Sequence, residues 1–200
     1  ESGLMLRNIY EKYGPTFTAD VLGKISKMGI TVLSRLGFSI GLGDLDLSPE
    51  TRQEIKDTIT KAVEEVHHLI EQYHAGKLEP LPGRIIEETL ELRILEALNR
   101  ARNKSGDVAM HQVKESAALI MARSGARGNA LNIAQMTAIV GQQALRGKRI
   151  ERGFTNRTLS YFKKNDLTPE ARGFIANSFK TGLTTAEFFF GAMTGRDALM

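Results

Sequence analysis

The chain of 200 residues carries 27 Lys and Arg against 23 Asp and Glu, and 42% of its residues are hydrophobic. These values are ordinary for a globular protein, and the length allows one large domain or two small modules. The absence of cysteine excludes disulfides, thiolate nucleophiles and cysteine-based zinc sites. No apolar run reaches the roughly 18 residues that a transmembrane helix needs, so we expect a cytoplasmic protein with no membrane contact.

The first predicted element is a helix in two parts, residues 4–13 and 15–36. Its apolar residues recur at spacings of three and four, as one face of a helix requires: Leu22, Ile25, Met28, Val32 and Leu36. Gly37 then interrupts the pattern and predicts the end of the helix. The alternation of apolar and small residues over 38–44 predicts a short strand and a turn.

Residues 48–104 predict a hairpin of two long helices. Ser48, Pro49 and Glu50 are typical of a helix start, and this helix should end near His74, before Gly76. Its buried stripe is predicted to comprise Ile55, Ile59, Val63, Val66 and Ile70. Two prolines within 77–83 indicate a sharp turn. A second helix over about 85–104 should then direct Leu92, Leu95 and Leu98 inward.

The remaining elements are shorter. We predict helices over about 107–122 and 131–140, extended segments within 147–162 that include 158–162, and a helix over 168–178. Thr184-x-x-Glu187 is a capping box that begins the last helix. The predicted fold class is therefore mainly α with short β segments.

Charge is unevenly distributed along the chain. Residues 44–96 hold six Lys and Arg against 13 Asp and Glu, whereas 100–157 hold 11 against three. A basic half of this kind attracts polyanions and steers nucleotides or nucleic acid. The alternative is a solvated acidic helix beside a basic loop.

One helix face offers a candidate metal site, because His67, Glu71 and His74 are spaced i, i+4 and i+7. No fourth ligand is evident, so a solvated face is the favoured interpretation. The chain contains neither a phosphate-binding P-loop nor a nucleophile elbow.

The segment from Ser124 to Arg149 is difficult to explain by folding alone. It is poor in large apolar residues and rich in glycine, side-chain amides and basic residues, in the runs 124–129, 132–136, 141–143 and 147–149. Gln135, Gln142 and Gln143 offer both donors and acceptors. These amides either cap helix ends and loops or bind something specific.

Three consecutive aromatic residues, Phe188, Phe189 and Phe190, lie on the last predicted helix. Neighbouring residues on a helix diverge by roughly 100°, so the three rings cannot share one face. We expect at least one ring to pack against a neighbouring module.

These runs, together with Gly182-Leu183-Thr184, 187–190 and Gly195-Arg196, resemble the largest subunit of multisubunit DNA-directed RNA polymerases, in its archaeal, A-prime form. The resemblance covers the whole chain. It implies the end of the pore domain over 1–47, the funnel hairpin and a following helix over 48–130, and the start of the cleft module with the first half of the bridge helix over 131–200. Both ends look cut, so we expect an internal piece of a longer protein.

The resemblance implies a function in transcription. This region of the polymerase, a nucleotidyltransferase, walls the secondary channel, through which nucleoside triphosphates enter and backtracked RNA 3′ ends leave. Implied partners are the other polymerase subunits, a transcript-cleavage factor on the hairpin, nascent RNA and, through the whole enzyme, the DNA template. Residues matching the surface that faces the channel and trigger loop are Asn99, Arg102, Gln135, Gln142, Gln143, Lys148 and Arg149. Those matching the start of the bridge helix are Thr184, Glu187, Phe188, Phe189, Phe190 and Arg196.

The chain also departs from the family pattern. The aspartate triad that holds catalytic Mg²⁺ in the whole enzyme is absent, so this piece has no catalytic residues and no cofactor of its own. Gly191, Thr194 and Asp197 stand where many relatives carry His, Gly and Glu. Residues 144–146 lie in a variable part of the motif, so sensitivity to amanitin, which binds this pocket in eukaryotic relatives, is not implied.

A rival interpretation is a stand-alone helical adaptor that binds nucleic acid through the basic loop around 146–152. Such a module should bind single-stranded RNA with a steep salt dependence, whereas a channel wall should bind RNA poorly without its other subunits.

Overall fold

The structure, a computed structural model, describes residues 3–113, 115–151 and 153–200. It divides into two compact units, Glu1–Ile40 and Gly41–Met200. The helices of the described residues are α1 (Leu4–Leu36), α2 (Pro49–His74), α3 (Ile86–Gln112), α4 (Ala117–Ser124), α5 (Ala130–Thr137) and α6 (Thr185–Leu199), and the strands are β1 (Gly141–Gln142), β2 (Ala144–Leu145), β3 (Lys148–Arg149) and β4 (Phe174–Ile175). This architecture confirms the mainly α prediction with short β segments.

The first unit consists of α1, which is interrupted at the predicted position. Gly14 has φ 81° and ψ 176°, outside the helical range, and Pro15 follows it. Thr18, the one buried residue described in this helix, donates its hydroxyl to the Gly14 carbonyl at the kink over 2.8 Å. Gly37, at φ 72°, ends the helix as predicted. The apolar side chains of α1 are largely exposed, Met28 to 63%.

The second unit begins with a turn, and the predicted strand over 38–44 is wrong. Leu42–Leu45 form a 3₁₀ turn in which the Asp44 carboxylate accepts the Gly41 amide over 2.8 Å. This local hydrogen bond competes with an extended conformation.

The helical hairpin is formed by α2 and α3. Ser48 accepts the Thr51 amide at the start of α2, and Gly76, at φ 67°, follows its end, as predicted. The buried core of the hairpin includes Val66, Leu90, Ile94 and Leu98. Of the predicted stripe, Ile55 and Val66 are buried and Ile59, Val63 and Ile70 partly buried, while Leu92 and Leu95 are only partly buried.

The predicted boundaries at 104 and 107–122 are wrong, because α3 continues to Gln112 and only Ala117–Ser124 remains as a separate helix. Gly106 does not break α3. A Cβ there would lie 3.1 Å from the Cβ of Ala134, so this glycine lets α5 approach closely.

The last third of the unit is mostly irregular and carries two antiparallel strand pairs. β1 pairs with β4, Gln142 opposite Phe174, and β2 pairs with β3, Ala144 opposite Arg149. The predicted helix over 168–178 is wrong: only Glu170–Arg172 form a 3₁₀ turn, which Gly173 ends at φ 88° before β4. The helix predicted to end near 140 ends at Thr137.

The predicted extended segment over 158–162 is also wrong. Thr158 donates its hydroxyl to the Ala171 carbonyl over 2.6 Å, and the Phe162 amide donates to Leu159 across a turn. These bonds fold the segment back on the loop instead of pairing it with a strand. The last helix begins at the predicted capping box of Thr184 and Glu187.

Candidate functional site

The predicted polar residues lie on elements that contact one another. Asn99 and Arg102 lie on α3, which packs against α5, carrying Gln135, and against β1, carrying Gln142. At Gly141, φ is 89° and a Cβ would lie 2.8 Å from Cδ of Arg102. Only glycine suits this conformation and this close approach, which brings the Arg102 side chain against β1.

Gln142 is partly engaged in holding the loop together. Its Nε2 donates to the carbonyls of Gln143 and Arg172, over 2.7 and 2.8 Å. Its Oε1 is buried and has no hydrogen-bond partner among the described residues. One acceptor of this amide therefore remains unsatisfied, close to Gly173, where a Cβ would lie 3.6 Å from Gln142 Nε2.

The other predicted side chains keep their polar groups accessible. Arg102 donates to Asn103 Oδ1, its Nη2 over 3.1 Å, and remains partly exposed. Asn99, Gln135 and Gln143 are half-buried, and within the described residues their side-chain amides make no hydrogen bond. Lys148 is exposed at the start of β3. These five residues, two basic and three with side-chain amides, are therefore available for contacts with other molecules.

Arg149 is placed differently. Its side chain is fully buried, and its Nε and Nη2 donate to the two carboxylate oxygens of Glu91 over 2.8 and 2.7 Å. Its Nη1 donates to the Leu167 carbonyl over 3.0 Å. This bidentate pair joins α3 to β3 and leaves no free charge at the surface. Sequence reasoning missed Glu91, since 58 residues separate the partners and no local motif connects them.

A cavity of about 390 Å³ lies beside this pair, between the hairpin and the loop. Its lining includes Glu87, Glu91, Glu151 and Arg172. Burial and the nearby Arg149 lower the pKa of Arg172, and the acidic neighbours partly oppose this shift. None of the seven predicted channel-facing residues lines the cavity.

The start of α6 exposes two of its three aromatic rings. Phe190 is 1% exposed and stacks on Phe162 at a ring-centroid distance of 6.1 Å. Phe188 and Phe189 are 67% and 49% exposed, and Arg196 lies exposed further along the helix. The three rings diverge as the helical geometry predicts.

Glu187 accepts more hydrogen bonds than a helix cap requires. The amide of Thr184 donates to its Oε2 over 2.8 Å, and Asn177 Nδ2 donates to the same oxygen over 2.9 Å. The amides of Ala176 and Asn177 donate to Oε1 over 3.0 and 3.3 Å. Burial alone would raise the pKa of Glu187, but the hydrogen bonds from Asn177 and Thr184 outweigh it and lower the pKa.

The donor set for a metal is absent from the described residues, where no three His, Asp or Glu side chains gather to hold an ion. The resemblance implies catalytic Mg²⁺ only in the whole enzyme, and the described residues offer no ligand set for it. The candidates His67, Glu71 and His74 form no such group, and the neighbouring His68 shares a hydrogen bond of 3.0 Å with Gln72. No helix within the described ranges is long and apolar enough to cross a membrane.

Comparison with known proteins identifies the family. The profile of RNA polymerase Rpb1, domain 4, matches residues 70–175. The DNA-directed RNA polymerase subunit Rpo1N of Halobacterium salinarum is 46% identical over 96% of this chain, and that of Thermococcus celer 46% over all of it. The chain spans 20% and 22% of these relatives, and 57% of the Rpo1N of Halococcus morrhuae, which is 44% identical over 99% of the chain. The chain therefore belongs to the Rpb1 domain 4 family of RNA polymerase largest subunits and matches their archaeal form, Rpo1N, along its whole length.

Proposed function

We propose that this chain walls the secondary channel of a DNA-directed RNA polymerase as part of its largest subunit. The observation that carries the proposal is the identity of 44–46% to archaeal Rpo1N subunits over almost the entire chain. The whole enzyme, a cytoplasmic nucleotidyltransferase, would bind template DNA and catalytic Mg²⁺ elsewhere. Here the contribution is positioning and gating.

The accessible polar side chains of α3, α5 and β3, together with Gln143 after β1, support this role. Arg102 and Lys148 supply positive charge, and the half-buried amides of Asn99, Gln135 and Gln143 supply donors and acceptors. Such a surface attracts triphosphates and the RNA 3′ end without binding them tightly. The bridge-helix role of α6, the docking of a cleavage factor on the α2–α3 hairpin and the three-part division at 47 and 130 belong to the same proposal.

Lys148→Gln in the reconstituted polymerase tests the channel. An exposed charge contributes about 0.4–1 kcal/mol, so the half-saturating nucleotide concentration for elongation should rise roughly two- to fivefold, with little change in maximal rate. Lys148 suits this test because its side-chain ammonium makes no hydrogen bond within the described residues, whereas Gln142 also holds the Arg172 carbonyl.

Lys164→Gln is the matched control, since this exposed lysine is likewise without a hydrogen bond in the described part of the chain. It should leave the nucleotide dependence unchanged. Identical titration curves for both variants and the parent enzyme, when the enzyme assembles normally, would contradict the channel role.

A further inference from the structure

The Glu187 carboxylate connects two segments that a helix cap alone would not join. In a capping box the glutamate accepts only the amide of the capping residue, here Thr184. Three further donors come from Ala176 and Asn177, ten or more residues earlier in the chain. Glu187 is 9% exposed, so its charge is stabilised mainly by these four bonds.

The segment bound by Glu187 belongs to the strand pair that carries Gln142. Ala176 and Asn177 directly follow β4, and the Asn177 carbonyl accepts the amide of Val140, just before β1, over 2.9 Å. Gln142 pairs with Phe174 in the same ribbon and bonds the Arg172 carbonyl. Hydrogen bonds therefore lead from the predicted channel surface to the start of α6.

Packing supports the same connection. The buried ring of Phe190 stacks on Phe162, next to the loop that precedes β4. Ile175 of β4 approaches α6 at Gly191, where a Cβ would lie 4.0 Å from Ile175 Cδ1. One face of α6 thus lies on β4, while Phe188 and Phe189 point away from the core.

We infer that Glu187 is a positioning residue that fixes the start of α6 to the β1–β4 ribbon, so that the aromatic helix and the polar surface around Gln142 form one rigid body. The anchoring contacts are seen in the structure, whereas their role in elongation rests on the proposed function. Helix capping is the smaller part of its role, because three of its four hydrogen bonds come from Ala176 and Asn177 and only one from the cap residue Thr184.

Glu187→Gln tests the anchor while preserving side-chain size. A glutamine has one acceptor oxygen, so at least one pair of the four donors would face an NH₂ group. Measured by hydrogen–deuterium exchange in the assembled polymerase, the amides of Ala176 and Asn177 should exchange at least about fivefold faster. Thr184→Ala is the matched control, since it removes the cap hydroxyl that accepts the Glu187 amide and leaves the anchor in place.

The control should speed exchange only in the first turn of α6. Equal protection of Ala176 and Asn177 in both variants would overturn the inference and leave Glu187 as a simple cap. Should Glu187→Gln fail to assemble, Asn177→Ala removes one donor from the ribbon side and should speed exchange at Ala176 and at the first turn of α6 together. Unchanged exchange in Asn177→Ala, both at Ala176 and at the first turn of α6, would also overturn the inference.

Elongation kinetics separate this inference from the proposed function. Glu187→Gln should lower the maximal elongation rate and leave the half-saturating nucleotide concentration unchanged. Lys148→Gln should raise the half-saturating nucleotide concentration and leave the maximal rate nearly unchanged. Glu187→Asp, which keeps the charge, should recover part of the rate. If Lys148→Gln has no effect, the channel proposal fails, but the exchange measurement still decides the anchor.

Discussion

Single side chains hold distant segments of this chain together. Glu187 gathers four donors around one buried carboxylate, and Arg149 gives three hydrogen bonds to two segments. In both cases the hydrogen-bond partners replace the water that the side chain loses on burial. Such residues determine how elements meet more than how any one element forms.

The lowered pKa of Glu187 predicts a pH dependence of stability. Its folded pKa lies below the ordinary value of 4.5, so the ionised form is favoured by folding. This stabilisation is fully present above pH 4.5 and is lost as the pH falls through the folded pKa. The difference in melting temperature between the parent chain and Glu187→Gln should therefore stay constant from about pH 7 to about 4.5 and shrink below it.

Glu170→Gln is the control for this titration, because Glu170 is exposed on a neighbouring turn. The difference in melting temperature between Glu170→Gln and the parent chain should stay small over the same pH range. If the difference in melting temperature between Glu187→Gln and the parent chain grew on acidification, the assigned direction of the pKa shift would be contradicted.

At the scale of elements, the Arg149–Glu91 pair attaches the hairpin to the loop. The Arg149 side chain is fully buried, whereas that of Glu91 is 30% exposed. Removing either partner leaves the other unpaired, and the cost depends on how well water reaches the remaining charge. The buried guanidinium is the more costly charge to leave alone.

Glu91→Leu should therefore destabilise the chain by about 3–5 kcal/mol, and Arg149→Met by clearly less. The double variant should recover much of the loss, because no unpaired charge remains. Urea unfolding followed by circular dichroism measures all three. Glu65→Gln, which breaks the exposed pair with Arg100, serves as control and should cost less than about 1 kcal/mol. If the double variant lost as much stability as the two single variants together, the predicted coupling between Glu91 and Arg149 would be contradicted.

At the scale of the whole molecule, the acidic and basic halves of the sequence meet in one unit. The acidic α2–α3 hairpin contacts α5 and β1 of the basic half, and part of the basic charge is neutralised, as at Arg149. Arg152, part of the basic loop, lies outside the described residues. The accessible positive surface is therefore smaller than the charge count of 100–157 suggests.

The isolated chain should accordingly bind single-stranded RNA weakly, with a Kd above about 10⁻⁴ M at physiological salt. Fluorescence anisotropy of a labelled single-stranded RNA, recorded between about 50 and 200 mM salt, measures this Kd and its salt dependence. Tight binding with a steep salt slope that Arg146→Gln/Lys148→Gln abolishes would favour an adaptor over a channel wall.

The sequence alone determined the features that depend on neighbouring residues. The kink at Gly14, the caps at Ser48 and Thr184 and the divergence of the three phenylalanines follow from hydrogen bonds and helical geometry within a few positions. The family, too, was identified from short motifs, although the channel-facing roles of their residues remain predictions.

Only the tertiary structure decided the features that depend on distant partners. Arg149 is paired with Glu91, 58 positions away. Gly106 lies inside α3 rather than at its end, and Ala134 of α5 packs closely against it. The segment after Thr168 forms a turn and a strand because β1 lies beside it and Gly173 takes a positive φ. These partners meet only when the chain has folded, so no local pattern specifies them.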